Sequence, residues 1–134
     1  MSLAGGAEPD RRSAEHRADT LFHRYVAAWN VGDLDDWLGV HDEHVEYVSL
    51  SDGDPQVFTG HAGLTEVWAR SRANWVRFSF SVLADDGDVI AVAFSGLDTD
   101  GAEIEGNLWF RVESLDGQIV RLWSALDSAL LPDR

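Results

Sequence analysis

Neither cysteine nor lysine occurs anywhere in the 134 residues of this chain. Without Cys there is no disulfide framework, no thiolate nucleophile and no Cys-ligated metal, so nothing points to an oxidising compartment and cytoplasm is the expected location. Without Lys there is no Schiff-base chemistry and no lysine general base. Positive charge is scarce in general: 10 Arg stand against 24 Asp and Glu, for a formal charge of -14. Such a surface repels phosphate backbones and anionic lipid, which argues against nucleic-acid and membrane partners. Long hydrophobic runs are missing too. No stretch approaches the roughly 20 apolar residues that span a bilayer, and the first thirteen residues lack the apolar core of a signal peptide.

What is present is apolar and aromatic. Apolar residues make up 45% of the chain, with six Trp and six Phe, enough for one domain with a real core. Residues 1–13, with Gly5-Gly6, Pro9-Asp10 and Arg11-Arg12, show no apolar period and read as a flexible arm. From Ser13, a candidate cap, Ala18, Leu21, Phe22, Tyr25, Ala28 and Trp29 recur at helical spacing. Asn30-Val31-Gly32 ends that helix, Asp33 caps a short second one, and Leu34, Trp37 and Leu38 form its apolar face.

His41-Asp42-Glu43-His44 reads as a polar connection, and Val45 to Leu50 as a strand with Tyr47 and Ser49 on one face and Glu46 and Val48 on the other. Ser51 to Pro55 is a turn-rich loop, and a third helix runs from about His61 to Trp75 with Leu64, Val67, Trp68 and Ser71 as its buried stripe. Strands follow at Arg77–Ala84, Val89–Leu97, Glu103–Glu113 and Gln118–Leu126, separated by the turns Asp85-Asp86-Gly87-Asp88, Asp98-Thr99-Asp100-Gly101 and Asp116-Gly117. Helices first and a meander afterwards predict an α+β domain over residues 14–127, with 128–134 as a C-terminal tail.

The order of elements, with "RYVAAWNVGDLDDW", "TGHAGLTEVWA" and "WFRVESLDGQIVRLW", resembles the nuclear transport factor 2-like superfamily, and within it the SnoaL-like and ketosteroid-isomerase-like domains. The resemblance covers about Ala14 to Asp127. It implies a cone, cystatin-like in fold, in which a curved antiparallel sheet carries three N-terminal helices on its concave face around an apolar pocket, often in a homodimer. It does not fix a reaction, because this fold hosts isomerases, hydrolases, scaffolds and binders. Carried over residue by residue, Tyr25 falls where the ketosteroid isomerases place an oxyanion-stabilising tyrosine. Ser49 falls at the position of their general-base aspartate and Leu108 at that of their second, protonated acid donor, and neither side chain can do that work.

The resemblance also places His41 and Trp68 at pocket positions, so Tyr25 and His41 are the candidate catalytic pair. The candidate pocket wall is Trp29, Tyr47, Ser49, Val67, Trp68, Leu108, Phe110, Leu122 and Ser124. His41 has a ring suited to proton transfer near neutrality. The plainer alternatives are a core tyrosine and a solvated loop histidine. His41 to His44 is not an HExxH motif, and no metal or cofactor is expected. Glu46 falls on the face opposite Tyr47, whereas Asp127 is a rim position. Asn107, Trp109, Arg111, Arg121 and Trp123 alternate out of phase with the pocket set, and two Trp and two Arg on an outer sheet face predict a homodimer interface. The functional expectation is a domain that binds a small, largely apolar or amphipathic molecule. The alternatives are an isomerase, hydrolase or cyclase-like enzyme working through Tyr25 and His41, and a ligand-free dimerisation module.

Overall fold

A computed structural model describes residues 21–50, 54–85 and 89–132. The expected N-terminal arm, the Ser13 cap, Ala18 and the centres of two loops lie outside the described residues. Helix α1 covers 21–31 and buries Leu21, Phe22, Tyr25, Val26, Ala28 and Trp29, the stripe that a 3.6-residue period selects. It ends as the sequence dictates. Gly32 takes φ 79°, its N–H reaches the carbonyl of Trp29 at 3.2 Å, and Asp33 N–H reaches that of Ala28 at 3.0 Å. This is a Schellman closure, which needs a residue free to adopt the left-handed region. Asp33 then turns from stop to start: its carboxylate accepts the Asp36 N–H at 3.0 Å and caps α2 (Leu34–Gly39), whose buried residue is Trp37.

Strand β1 (His41–Ser49) follows at once, pairs with the short β2 (Gln56–Thr59), and leads into α3 (Gly60–Ala73). The meander β3 (Trp75–Asp85), β4 (Val89–Asp98), β5 (Glu103–Leu115) and β6 (Gln118–Ala125) completes a six-stranded sheet in the order β2-β1-β6-β5-β4-β3. The sheet is mixed, which corrects the antiparallel expectation. The last strand of the meander returns beside β1 in parallel register, Tyr47 opposite Leu122 and Ser49 opposite Ser124. Register shifts in the β1–β6, β3–β4 and β5–β6 pairs are the irregularities at which such strands bend. The expected third helix gives up its last residues: Trp75 opens β3 instead of ending α3.

Helices α1 to α3 pack on one face of this curved sheet, and aromatic rings fill the space between. Trp29 meets Trp37, Trp68 and Phe80 at centroid distances of 5.3, 5.1 and 5.4 Å. Phe22 stacks on Tyr25 at 4.9 Å and tilts against Phe110 at 5.3 Å. Two polar clamps hold α1 in place. Asn30 accepts the Phe80 N–H at 2.8 Å and returns its own amide to the Phe80 carbonyl at 2.9 Å, capping the outer edge of β3 as a further strand would. Arg72 donates to the Trp29 carbonyl and lies 3.9 Å from the Trp68 ring centroid. Beyond β6, a 3-10 turn (Ser128–Leu130) packs back against β5, and Leu131 after it is buried. Among the described residues no helix is long and apolar enough to cross a membrane.

Candidate functional site

Three elements converge on one cleft, and each contributes side chains by its own periodicity. On β1, Tyr47 and Ser49 lie two residues apart and so share a face; on β2, Phe58 and Gln56 do the same. The β1–β2 register sets Tyr47 opposite Phe58 and Ser49 opposite Gln56, which puts all four on one surface. On α3, Val67, Arg70 and Ser71 stand at successive positions of one helical face, and Asn74, the C-cap, extends it by another turn. Gly63 lets this helix close on the hairpin, since a Cβ there would stand 2.9 Å from the Phe58 carbonyl carbon. Together the eight residues line a cleft of about 260 Å³.

Its polar chemistry is mostly neutral. The Tyr47 hydroxyl donates to Ser124 Oγ at 3.1 Å, and burial raises its pKa while that bond opposes the rise. Among the described lining residues Arg70 is the charged one. Its guanidinium pairs with Glu66 one turn earlier and sits 5.6 Å from the Phe58 ring centroid. Phe58 in turn meets Tyr47 edge-on at 6.2 Å.

The candidate catalytic pair lies elsewhere. Tyr25 and His41 are neighbours, edge to face at 5.5 Å, but they are 2% and 0% exposed and neither lines the cleft. His41 is not in a polar loop, as its sequence context predicts. It is the first residue of β1, pairs across to Ile119 and packs on Trp37 at 5.1 Å. Its Nδ1–H donates to the Trp37 carbonyl at 2.8 Å, so the neutral ring is accommodated, and burial pushes its pKa from 6.5 to about 4. The Tyr25 phenol moves the other way: burial first, then nearby Tyr47, raises its pKa well above 10, with the Trp37 side chain opposing. Neither group is placed to exchange a proton with solvent near neutral pH.

Of the expected pocket wall, Tyr47, Ser49 and Val67 line the cleft. Trp29 and Trp68 fill the interior, as do Phe110 and Leu122, with Leu108 partly buried against them. Ser124 stands behind the cleft as the acceptor for Tyr47. Gln56, Phe58, Arg70 and Asn74 escape the sequence reading, although Arg70 and Asn74 continue at helical spacing the face that Val67 begins. Glu46 lies on the opposite sheet face and pairs with Arg121 at 3.1 Å. Asp127 accepts the Ala129 N–H at 2.9 Å and so caps the final turn. His44 and Glu43 are 3.3 Å apart and largely exposed. Among the described residues no group of three His, Asp or Glu is set to hold a metal.

A helix-backed, curved mixed sheet of this order defines the nuclear transport factor 2-like, ketosteroid-isomerase-like class. Within that class the chain belongs to the SnoaL-like domain family, whose model matches residues 22–122. Solved structures of similar fold include a candidate polyketide cyclase from Xanthomonas campestris pv. campestris, at 23% identity and TM-score 0.69 over 85% of this chain and 93% of that one. TerC co-crystallised with polyporic acid is similar at 17% identity and TM-score 0.68 over 84% and 93%. A protein with a ketosteroid isomerase-like fold from Catenulispora acidiphila DSM 44928, in complex with trimethylamine, is similar at 14% identity and TM-score 0.70 over 82% and 87%. No curated protein sequence matches the chain.

Proposed function

We propose that this SnoaL-like domain binds a small amphipathic molecule in the cleft between the β1–β2 hairpin and α3, and that it acts by binding rather than by acid-base catalysis. One observation carries the reading: opposed strand pairs and one helical face converge on a single cleft whose walls mix hydrogen-bonding tips with the apolar surfaces of Phe58 and Val67. The catalytic alternative loses its named groups, since Tyr25 and His41 are sealed in the core and, among the described residues, no Asp, Glu or His lines the cleft. Neighbours of the same fold solved with polyporic acid and with trimethylamine support occupancy by a small organic molecule. The test is thermal unfolding in the presence of a panel of one-ring amphipathic compounds. A ligand at a hundred times its Kd adds about 2.7 kcal/mol of stability, and Ser71→Trp, which fills the cleft, removes the gain. A panel that leaves the wild-type transition unmoved overturns the proposal.

The ligand-free dimerisation reading also has observations behind it. Trp29, Trp37, Trp68, Phe78 and Phe80 occupy the interior that a larger apolar ligand would need. On the outer sheet face, Arg121 pairs with Glu46 and Glu113 and lies 5.6 Å from the Trp123 ring centroid, with Arg111 directly across from Trp123. We infer a homodimer through this face, with Asn107 and Trp109 at its end, which is compatible with the cleft being occupied. Sedimentation at micromolar concentration is expected to give twice the monomer mass, and a monomer there removes the inference.

A further inference from the structure

The cleft carries a charge balance unlike that of the chain as a whole. Acidic residues outnumber Arg by 24 to 10, yet the charged group among the eight lining residues is a cation, Arg70. The flat guanidinium lies near the Phe58 ring, while Glu66 holds it from one turn earlier on α3. Both partners are largely solvated, at 62% and 49% side-chain exposure. An exposed ion pair of this kind is weak and readily exchanged for a better-placed anion. Around Arg70 stand neutral groups that donate hydrogen bonds, namely the hydroxyls of Ser49 and Ser71 and the amides of Gln56 and Asn74. Phe58 and Val67 supply apolar contact. A planar fork of donors beside an aromatic ring matches a carboxylate on a flat body better than it matches a neutral or cationic ligand. Size narrows the choice further, because about 260 Å³ falls just below the roughly 300–1,000 Å³ of drug-sized sites.

We propose that the cleft takes a one-ring aromatic carboxylate, received by Arg70 in place of Glu66, with its ring against Phe58 and Val67. This rests on the cleft being the binding site. Glu66 then competes with the ligand for one guanidinium, so the two residues pull affinity in opposite directions, which a site indifferent to charge would not show.

Calorimetric titration of the full chain with benzoate and with its neutral counterpart benzamide tests the assignment, using wild type, Arg70→Gln and Glu66→Gln. Both substituted side chains are solvent-facing, and circular dichroism confirms that the variants fold. Benzoate is expected to bind wild type more tightly than benzamide does, to weaken by about tenfold in Arg70→Gln, and to tighten in Glu66→Gln. Benzamide is expected to respond to neither substitution. If benzamide equals benzoate and Arg70→Gln changes neither, the anion assignment is wrong while small-molecule binding in the cleft stands. If neither compound binds any of the three proteins at millimolar concentration, the assignment falls, and the thermal panel above decides separately whether the cleft binds other small molecules.

Discussion

Acidification should destabilise this protein through His41 in a way that can be calculated from where the ring sits. His41 is fully buried among Tyr25, Trp37 and the start of β1, and its Nδ1–H donates to the Trp37 carbonyl, while among the described residues Nε2 has no hydrogen-bond partner. Burial resists the charged ring and outweighs the Trp37 hydrogen bond, which favours it, and so holds the pKa at about 4 against 6.5 when unfolded. Above pH 6.5 both states are neutral and His41 contributes no pH dependence. As pH falls through 6.5 the unfolded chain takes up a proton that the folded chain refuses, so stability drops until the folded ring also titrates near pH 4. Linkage puts the loss at about 2 kcal/mol by pH 5 and about 3 kcal/mol once both states are protonated. Carboxylates titrate over part of the same range, so the measurement is a difference. Urea unfolding between pH 7.5 and 4.5 is compared for wild type and His41→Asn, whose amide keeps a donor toward Trp37 but carries no titrating ring. The wild-type curve should fall more steeply by those amounts. Parallel curves, or a native-state His41 ring titrating near 6.5 by NMR, refute the burial argument.

Other perturbations read different parts of the same architecture. Asn30→Ala removes both bonds to the Phe80 backbone and should cost about 1–3 kcal/mol, with the Phe80 amide exchanging faster by hydrogen-exchange NMR. Leu64→Ala empties a fully buried site where α3 meets the sheet; the expected loss is about 2–5 kcal/mol in chemical denaturation. Gly106→Ala sets a methyl 2.6 Å from the Phe94 ring, which lies across from it in β4. The ring must move, and a loss of about 1–3 kcal/mol in the same assay would show that it cannot do so freely. Tyr47→Phe deletes the hydroxyl that bonds Ser124 and should cost about 1 kcal/mol, while leaving benzoate binding in place if Arg70 is the anion's partner.

Local signals were legible to the extent that local chemistry decides the outcome. Gly32 and Asp33 end one helix and begin the next through contacts spanning five residues or fewer, and the structure realises both. Along β5 and β6 Phe110, Leu122 and Ser124 are buried and Leu108 is partly so, the alternation that pleating gives a strand. Parity says which way a side chain points, however, and not what it meets there. Trp29 and Trp68 point inward as a pocket wall would, and there they pack with Trp37, Phe78 and Phe80 in the aromatic core, away from the lining of the β1–β2–α3 cleft. His41 was misplaced for a related reason. Its neighbours Asp42, Glu43 and His44 are polar, so the local text reads as loop, while its burial is decided by pairing with Ile119, 78 positions away.

The parallel return of β6 beside β1 is equally non-local, and it is what brings Ser124 behind Tyr47 and fixes the rear wall of the cleft. Aromatic rings pack the interior, and a cleft among the described residues lies at the sheet's β2 end, where the short hairpin faces α3 and polar side chains remain in contact with water. There, among the described lining residues, the one that bears charge is Arg70, held in a weak exposed pair. Specificity in such a shallow site follows from which anion can displace Glu66 while still covering Phe58, and not from the shape of a deep apolar cone.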